Sequence, residues 1–430
     1  MLNILNNYLW YIVTSLILIS GLYFSIKIKF IHFNFQKLYH ILKRPVKKGS
    51  ISPWQTLMMN LAARIGVGSI SGIALAVYIG GAGSIFWMWI TALFASSNTF
   101  IESILGRVYN EIDHENIYKG GPSFYIEKGL KKKRLAKFYA ICIILAFSVG
   151  FLCIQSNTMA IGISEITNYS KIQIGMFIAL ITALVIIKGV KSIAKVTDFL
   201  VPIMGLIYLI VCLIIFIINI DIIPTIISDI FLDAFKLKPA AIGIFTTFIV
   251  GIQRGIFSNE AGIGTGAIAA GVSDSKDLSE QGFIQSFGVI FDTLIIGTLS
   301  AIVVLTSNYL TLRINDPNGI EIARNAFSYH LGSFGTTSLI LIIIMFAFAS
   351  IITGYYYGES NLKFLKKQLT KKELIAFKIF TIIILIIGSI TSSTILWSLV
   401  DIFIGILAII NIYAIVSLRK ESFEIISVTK

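Results

Sequence analysis

The sequence predicts an all-α integral membrane protein with about eleven membrane-spanning helices. Of its 430 residues, 56% are hydrophobic and 13% are charged, whereas a soluble domain carries about 25% charged residues. Apolar runs long enough to cross a bilayer, which takes about 20 helical residues, recur along the whole chain. The basic residues also gather in alternate connections between those runs, as a multi-pass topology requires.

The first span is expected at residues 8–26. The stretch before it, MLNILNNYLW, has no basic segment and no small-residue cleavage site, so it reads as a retained helix rather than a signal peptide. Spans two and three, 53–79 and 84–108, are separated only by the turn Gly80-Gly81-Ala82-Gly83. Three more follow at 135–163, 172–187 and 196–218. The second half supplies 239–270, 283–306, 335–357, 374–390 and 395–418. Residues 118–130 are too polar to span and are expected as an interfacial or re-entrant cytoplasmic element, and 325–331 as a short outer helix that could act as a lid.

With the N-terminus outside, 28 of the 35 Lys and Arg fall on the inner side. Five lie outside (Lys171, Lys236, Lys238, Arg313 and Arg324), and Arg64 and Arg254 fall within spans. That asymmetry predicts N-out and C-in. The net charge of +13 therefore reports orientation and attraction to an anionic inner leaflet, and it requires no nucleic acid. Cys142, Cys153 and Cys212 sit in apolar runs and the four histidines are scattered, so neither a disulfide framework nor a metal cluster is expected.

Two spans are wrong for plain helices. The second contains Ile65-Gly66-Val67-Gly68-Ser69-Ile70; the seventh contains Phe257-Ser258-Asn259-Glu260-Ala261-Gly262 followed by Ile263-Gly264-Thr265-Gly266-Ala267-Ile268. Each glycine costs a helix roughly 1 kcal/mol, and unwound backbone persists in a membrane only where it lines a cavity or is buried in protein. IGVGSI and IGTGAI lie five spans apart, so the two stretches enter the membrane in opposite directions. Broken helices at corresponding places of two inverted halves point to a transporter's binding site; close helix packing through small residues is the alternative. The spacing of Gly66, Gly68 and Gly72 does not match a dinucleotide fingerprint, and no Walker loop occurs. Glu260, Asp292 and Asp401 are the deep acids, with Arg64 and Arg254 as possible partners. Glu260 is expected to bond amides freed by the break, and Asp292 and Asp401 to act in a gate or network. Glu102, Arg107 and Glu359 are expected to anchor near the inner interface.

Seven blocks carry a resemblance. They are GVGSISGIALAVYIGGAGSIFWMW (66–89), YKGGPSFYIEKGL (118–130), IQSNTMA (154–160), KGVKSIAKVTDFLVP (188–202), QRGIFSNEAGIGTGAIA (253–269), YYYGE (355–359) and WSLVDIF (397–403). Together they resemble the alanine or glycine:cation symporter family of the amino acid–polyamine–organocation superfamily. The resemblance implies two inverted five-helix repeats, here 51–238 and 239–418. An added helix and amphipathic linker (1–50) precede them, and a tail (419–430) follows. It also implies a small neutral amino-acid substrate. Its carboxylate would meet the N–H groups of Val67, Gly68 and Ser69 beside Gly66. Its ammonium would meet carbonyls around Phe257, Ser258 and Asn259 and the amide oxygen of Gln155, under a cap formed by Trp397. The coupling cation implied is Na⁺, held by carbonyls of Ala62 and Ile65 with Phe346 and the Ser350 hydroxyl. The chain departs from the family at Ala349-Ser350, which replaces a Ser-Thr pair, at Val67 and Ser69 within GTGN, and at Thr353-Gly354. No organic cofactor is implied, the bilayer is the expected surround, and nothing fixes an oligomeric state. A proton-coupled or uncoupled permease and a non-transporting amino-acid sensor remain open. No pore-filter repeat and no His- or Cys-based catalytic constellation is present to suggest a channel or an enzyme.

Overall fold

A computed structural model describes residues 2–44, 51–113, 117–235, 244–273, 275, 277–309 and 318–428. The expected start of the seventh span at Pro239, the boundaries drawn at 50 and 238, and Lys236, Lys238, Lys276 and Arg313 lie outside the described residues.

The chain is helical nearly throughout. It runs α1 (Leu2–Lys27), α2 (Phe35–Leu42), α3 (Pro53–Arg64), α4 (Ser71–Gly80) and α5 (Gly83–Val108). A short antiparallel hairpin follows, β1 (Glu111–Ile112) and β2 (Tyr118–Lys119), then α6 (Pro122–Lys128). Next come α7 (Lys133–Ile143), α8 (Leu152–Ile166), α9 (Lys171–Ile186), α10 (Val190–Ile218) and α11 (Ile223–Ala234). The second half holds α12 (Ile244–Asn259), α13 (Thr265–Ala270), α14 (Glu280–Ile290), α15 (Thr298–Leu305) and α16 (Gly319–Leu365). It closes with α17 (Lys371–Ile390), α18 (Ser393–Ser417) and α19 (Arg419–Val428).

Helix starts follow local chemistry. Ser52, Ser170 and Thr370 each form a reciprocal capping box with Gln55, Gln173 and Glu373, satisfying donors that a helix N-terminus cannot. Pro53 occupies the first turn of α3, where its missing N–H costs nothing. α7 and α8 run on through a π-helical stretch, Ile144–Phe151, and α14 and α15 through another, Phe291–Gly297.

Among the described residues, eight helices are long and apolar enough to cross a membrane. The pair flanking the first break, bent by 60°, makes a ninth. The eleven expected spans exceed this for two physical reasons. α9 is apolar but 16 residues long, and the seventh span is divided between α12 and α13. α16 is two helices joined at a kink, Gly332 (φ 59, ψ −138), so the segment expected as a short helix at 325–331 ends a short helix of its own before the longer one begins.

Small residues set the packing. α1 lies against α5, where a Cβ on Gly21 would stand 2.6 Å from the Phe94 carbonyl oxygen and Ser97 Oγ donates to the Gly21 carbonyl at 2.7 Å. α5 meets α13 at Gly106, whose Cβ would stand 2.5 Å from the Ala267 oxygen and 2.9 Å from its Cα. Beneath α13, Gly120 packs its backbone on Gly271 and on the Gly106 carbonyl, so the hairpin is seated against the C-terminal end of the second broken helix. The following helix, α6, is buried over most of its length.

Gly106→Leu must therefore push a pair of backbones apart, and overpacking of this kind costs about 1–3 kcal/mol or more. Thermal unfolding of the purified chain in detergent should show a midpoint several degrees lower. Gly205→Leu, where no atom lies within 4 Å of the added Cβ, should leave the midpoint unchanged.

Candidate substrate and cation site

The first break opens at Ile65 and Gly66 and closes through a single 3-10 turn, Val67–Ser69. The second opens after Asn259. Glu260 adopts φ 53, and Gly262 and Gly264 adopt φ 77 and φ 100, a left-handed path that glycine follows without steric cost and glutamate does not.

The two breaks meet. Asp292, in the π-helical stretch between α14 and α15, accepts from the Ser69 hydroxyl at 2.5 Å and from the Ser258 hydroxyl at 2.7 Å. The two hydroxyls stand 3.0 Å apart. One buried carboxylate thus joins the first break to the second. π-bulges occur often at functional sites, and this one brings Asp292 to the junction. Ser300 donates to the Ser69 carbonyl and is itself bonded to Tyr208.

The expected amide nest is partly occupied. Ser69 N–H donates to the Gly66 carbonyl at 3.2 Å as the 3-10 turn closes. Val67 N–H donates to Gln155 Oε1 at 3.2 Å. The Gln155 amide oxygen, expected for the substrate ammonium, is therefore taken by the first break. Its Nε2 is buried and unpartnered and lies 2.9 Å from where a Cβ on Gly66 would stand. That spare donor suits a carboxylate. Phe257 and Ser258 end α12, in the last turn where a helix leaves carbonyls unsatisfied.

Aromatic side chains close round this junction. A Cβ on Gly68 would stand 2.9 Å from the Phe257 ring, and one on Gly72 would stand 3.6 Å from Trp397. The Phe257 and Trp397 ring centroids are 4.4 Å apart. Arg254 stacks over Trp397 at 4.9 Å and pairs with Asp401, so α12 and α18 are tied by an ion pair bearing on the expected cap. Both partners are buried.

Of the expected cation ligands, Ala62 and Ser350 come together. The Ser350 hydroxyl donates to the Ala62 carbonyl at 2.8 Å, and the Ala63 carbonyl lies 3.4 Å away. Phe346 is fully buried one turn earlier on α16, 5.4 Å from the Tyr208 ring. Ile65 is the C-cap of α3. Carbonyls of a helix end with a hydroxyl are a hard-oxygen set of the kind that suits Na⁺.

Two expectations fail. Glu260 bonds no freed amide: both its carboxyl oxygens are buried without a hydrogen-bond partner, and it interacts electrostatically with Arg64 at the end of α3. Other residues hold that segment. Asn259 Oδ1 accepts from Ala261 N–H at 3.0 Å and its Nδ2 donates to Thr293 at 2.9 Å. Asn411 donates to the Gly262 carbonyl at 2.9 Å, and the Tyr139 hydroxyl donates to the Ile263 carbonyl at 2.6 Å. Glu102 does not reach outward as an anchor. It is fully buried and accepts from Asn411 at 2.6 Å, since α13 and α18 cover it. Asn411, Tyr139, Ser300 and Tyr208 escaped the sequence reading; the available signal was a polar atom inside an apolar run. Arg64 donates to Asn60 at 2.8 Å and has no ion pair among the described residues, although it interacts electrostatically with Glu102, Glu260 and Asp292.

These geometries predict opposite outcomes for two acids. Asp292→Ala removes the charged acceptor shared by two buried hydroxyls and leaves Ser69 only the Arg64 carbonyl at 3.0 Å and Ser258 only the Ser69 oxygen at 3.0 Å. Hydrogen bonds to charged groups are worth about 1.5–3 kcal/mol each, against about 0.5–1.5 for neutral ones. Its unfolding midpoint in detergent should fall markedly. Glu260→Gln removes no hydrogen bond and should unfold at or above the native midpoint. Equal losses in both would mean that the Glu260 carboxylate does hold the break.

The sodium:alanine symporter family profile matches residues 1–428. A probable sodium/glutamine symporter, GlnT of Bacillus subtilis, is 35% identical over 427 residues, covering 98% of this chain and 88% of its own. The amino-acid carrier protein AlsT of the same organism is 34% identical over 428 residues, covering 99% of this chain and 90% of its own. The sodium/alanine symporter AgcS of Methanococcus maripaludis is 29% identical over 446 residues, covering 100% and 96%. With a family match over virtually its whole length, this chain belongs to the sodium:alanine symporter family.

Proposed function

We propose that this protein imports a small neutral amino acid, alanine or glycine, by symport with Na⁺ through alternating access. In this reading it crosses the membrane eleven times, N-terminus outside and C-terminus inside. The repeats 51–238 and 239–418 are related by inversion around the two breaks. The observation that carries the reading is the convergence of both broken helices on Asp292 through Ser69 and Ser258. A helix start and a helix end of opposite dipole sign then meet in a membrane interior, with the Gln155 Nε2 donor spare beside them, an arrangement that suits an amino-acid zwitterion. The substrate carboxylate lies near Gly66, Gly68 and Gln155 Nε2. The ammonium lies near the carbonyls ending α12, beside Asn259. The closeness of Phe257 and Trp397 favours a small side chain. Na⁺ would take the place of the Ser350 hydroxyl's hydrogen bond to Ala62, with the Ile65 carbonyl beside it and Phe346 shielding it.

A second reading has its own support. Glu260 is a buried acid with no hydrogen-bond partner, free to carry a proton, and Ala349 offers no second hydroxyl for sodium. A proton-coupled permease on the same fold would use them so.

Uptake of radiolabelled alanine and glycine into proteoliposomes, with and without an inward Na⁺ gradient, separates the readings. The symporter predicts sodium-dependent uptake that Gly68→Leu abolishes, because the new side chain enters the space of Phe257. It also predicts that Ser350→Ala raises the Na⁺ concentration for half-maximal uptake about tenfold, the equivalent of one lost ligand contact. Uptake indifferent to sodium, driven instead by a pH gradient and lost in Glu260→Gln, would replace it with the proton reading. Binding without flux would leave a sensor.

A further inference from the structure

A second polar concavity lies apart from the substrate site, on the side expected to face the cytoplasm. It is lined by Lys119 of β2, by Lys363 at the end of α16, by Lys366 and Lys367 just beyond it and by Lys371 at the start of α17, with Asp113 of the hairpin at its edge. Two chain segments far apart in sequence thus meet at one hollow, Lys119 from the hairpin and four lysines from the turn joining α16 to α17.

The carboxylates present do not balance them. Lys363 is shared by Asp113 at 3.3 Å and Glu359 at 3.0 Å, and Lys366 pairs with Glu373. Lys119, Lys367 and Lys371 have no carboxylate within ion-pair distance among the described residues. The N-terminus of α17 is already capped by Thr370 and Glu373, so the excess rests on side chains alone. Lys119 is half-buried. Burial, and then the neighbouring Lys363 and Lys367, hold its ammonium below the usual lysine range despite Glu111 and Asp113. Positive-inside bias places lysines at the ends of spans, but it does not account for Lys119 of the hairpin, half-buried, sharing one concave pocket with four lysines between α16 and α17.

We propose that this hollow binds a phosphate-bearing anion, either the headgroup of an anionic inner-leaflet lipid or free phosphate. Converging ammonium groups match a phosphate's spread of acceptor oxygens, and basic pockets between membrane helices on this side suit lipid headgroups. Its occupant would tie the hairpin to the ends of α16 and α17. Lys119 is followed by Gly120, whose backbone rests on Gly271 at the end of α13. A bound anion therefore fixes the support beneath the inner half of the second broken helix, and occupancy would regulate how readily that half moves. The proposal does not depend on which amino acid or ion is carried.

The test is thermal unfolding of the full chain. One arm titrates inorganic phosphate in neutral detergent against chloride at equal ionic strength. The other titrates phosphatidylglycerol into phosphatidylcholine nanodiscs. The pocket variant is Lys119→Gln/Lys367→Gln/Lys371→Gln; the control, Lys188→Gln/Lys191→Gln/Lys195→Gln, removes equal charge elsewhere on the same side. Each lysine near an anionic surface is worth about fivefold in affinity, so the pocket variant should need roughly a hundredfold more anion while the control behaves as native. A response to phosphate identifies the free anion as sufficient, and a response to phosphatidylglycerol alone identifies the lipid. If the triple variant unfolds without added anion, Lys119→Gln alone should still shift the titration about fivefold. Equal weakening in pocket and control variants would mean diffuse surface attraction and would overturn the proposal, as would a native chain that responds to neither anion.

Discussion

Two helices interrupted inside an apolar slab impose the constraint from which the rest of this structure follows. Each break strips hydrogen bonds from backbone groups that have no water to turn to, and an unsatisfied group in that setting costs several kcal/mol. The polar side chains of the interior are distributed accordingly. Gln155 answers Val67, Ser300 answers the Ser69 carbonyl, Asn259 answers Ala261, and Asn411 and Tyr139 answer Gly262 and Ile263. Asp292 then joins the two sets. A chain with so few polar residues has used them where the backbone is open.

Charge is handled differently in different regions of the interior. On one side of the junction Arg254 and Asp401 neutralise each other and bear on Trp397, so an ion pair and an aromatic face share one gate-like position. On the other, a single Arg64 serves Glu102, Glu260 and Asp292 through space, and Glu260 alone of the three has neither carboxyl oxygen in a hydrogen bond of ordinary geometry among the described residues. Removing one member of a buried pair is expensive. The first group is therefore a lock, which Glu260, with no ion-pair partner among the described residues, is not.

Glycine does two separate jobs. At Gly262 and Gly264 it permits the left-handed backbone of the break. At Gly21, Gly106 and Gly120 it permits backbones to approach more closely than any Cβ allows. The second job seats α1 on α5, α5 on α13, and the hairpin beneath α13, so the broken segment is clamped from both flanks by close contacts rather than by large side chains. Membrane helices lack a hydrophobic drive to associate, and such contacts substitute for it.

The sequence by itself determined the class, most of the spans and the two breaks. Hydropathy needs only a window, and glycine clusters such as Gly66-Val67-Gly68 are visible without any partner. Motif order sufficed for the family. Tertiary structure decided the partnerships. Asp292 lies 223 residues from Ser69 in the chain, and nothing local to either marks the contact. The role expected of Glu260 went instead to Asn259, Asn411 and Tyr139, the last two reaching the freed carbonyls from α18 and α7. Gln155 gave its oxygen to the backbone and kept its nitrogen free. Periodicity and composition are local properties of a chain. Which polar atom meets which broken hydrogen bond depends on how distant helices cross, and only the folded chain sets that.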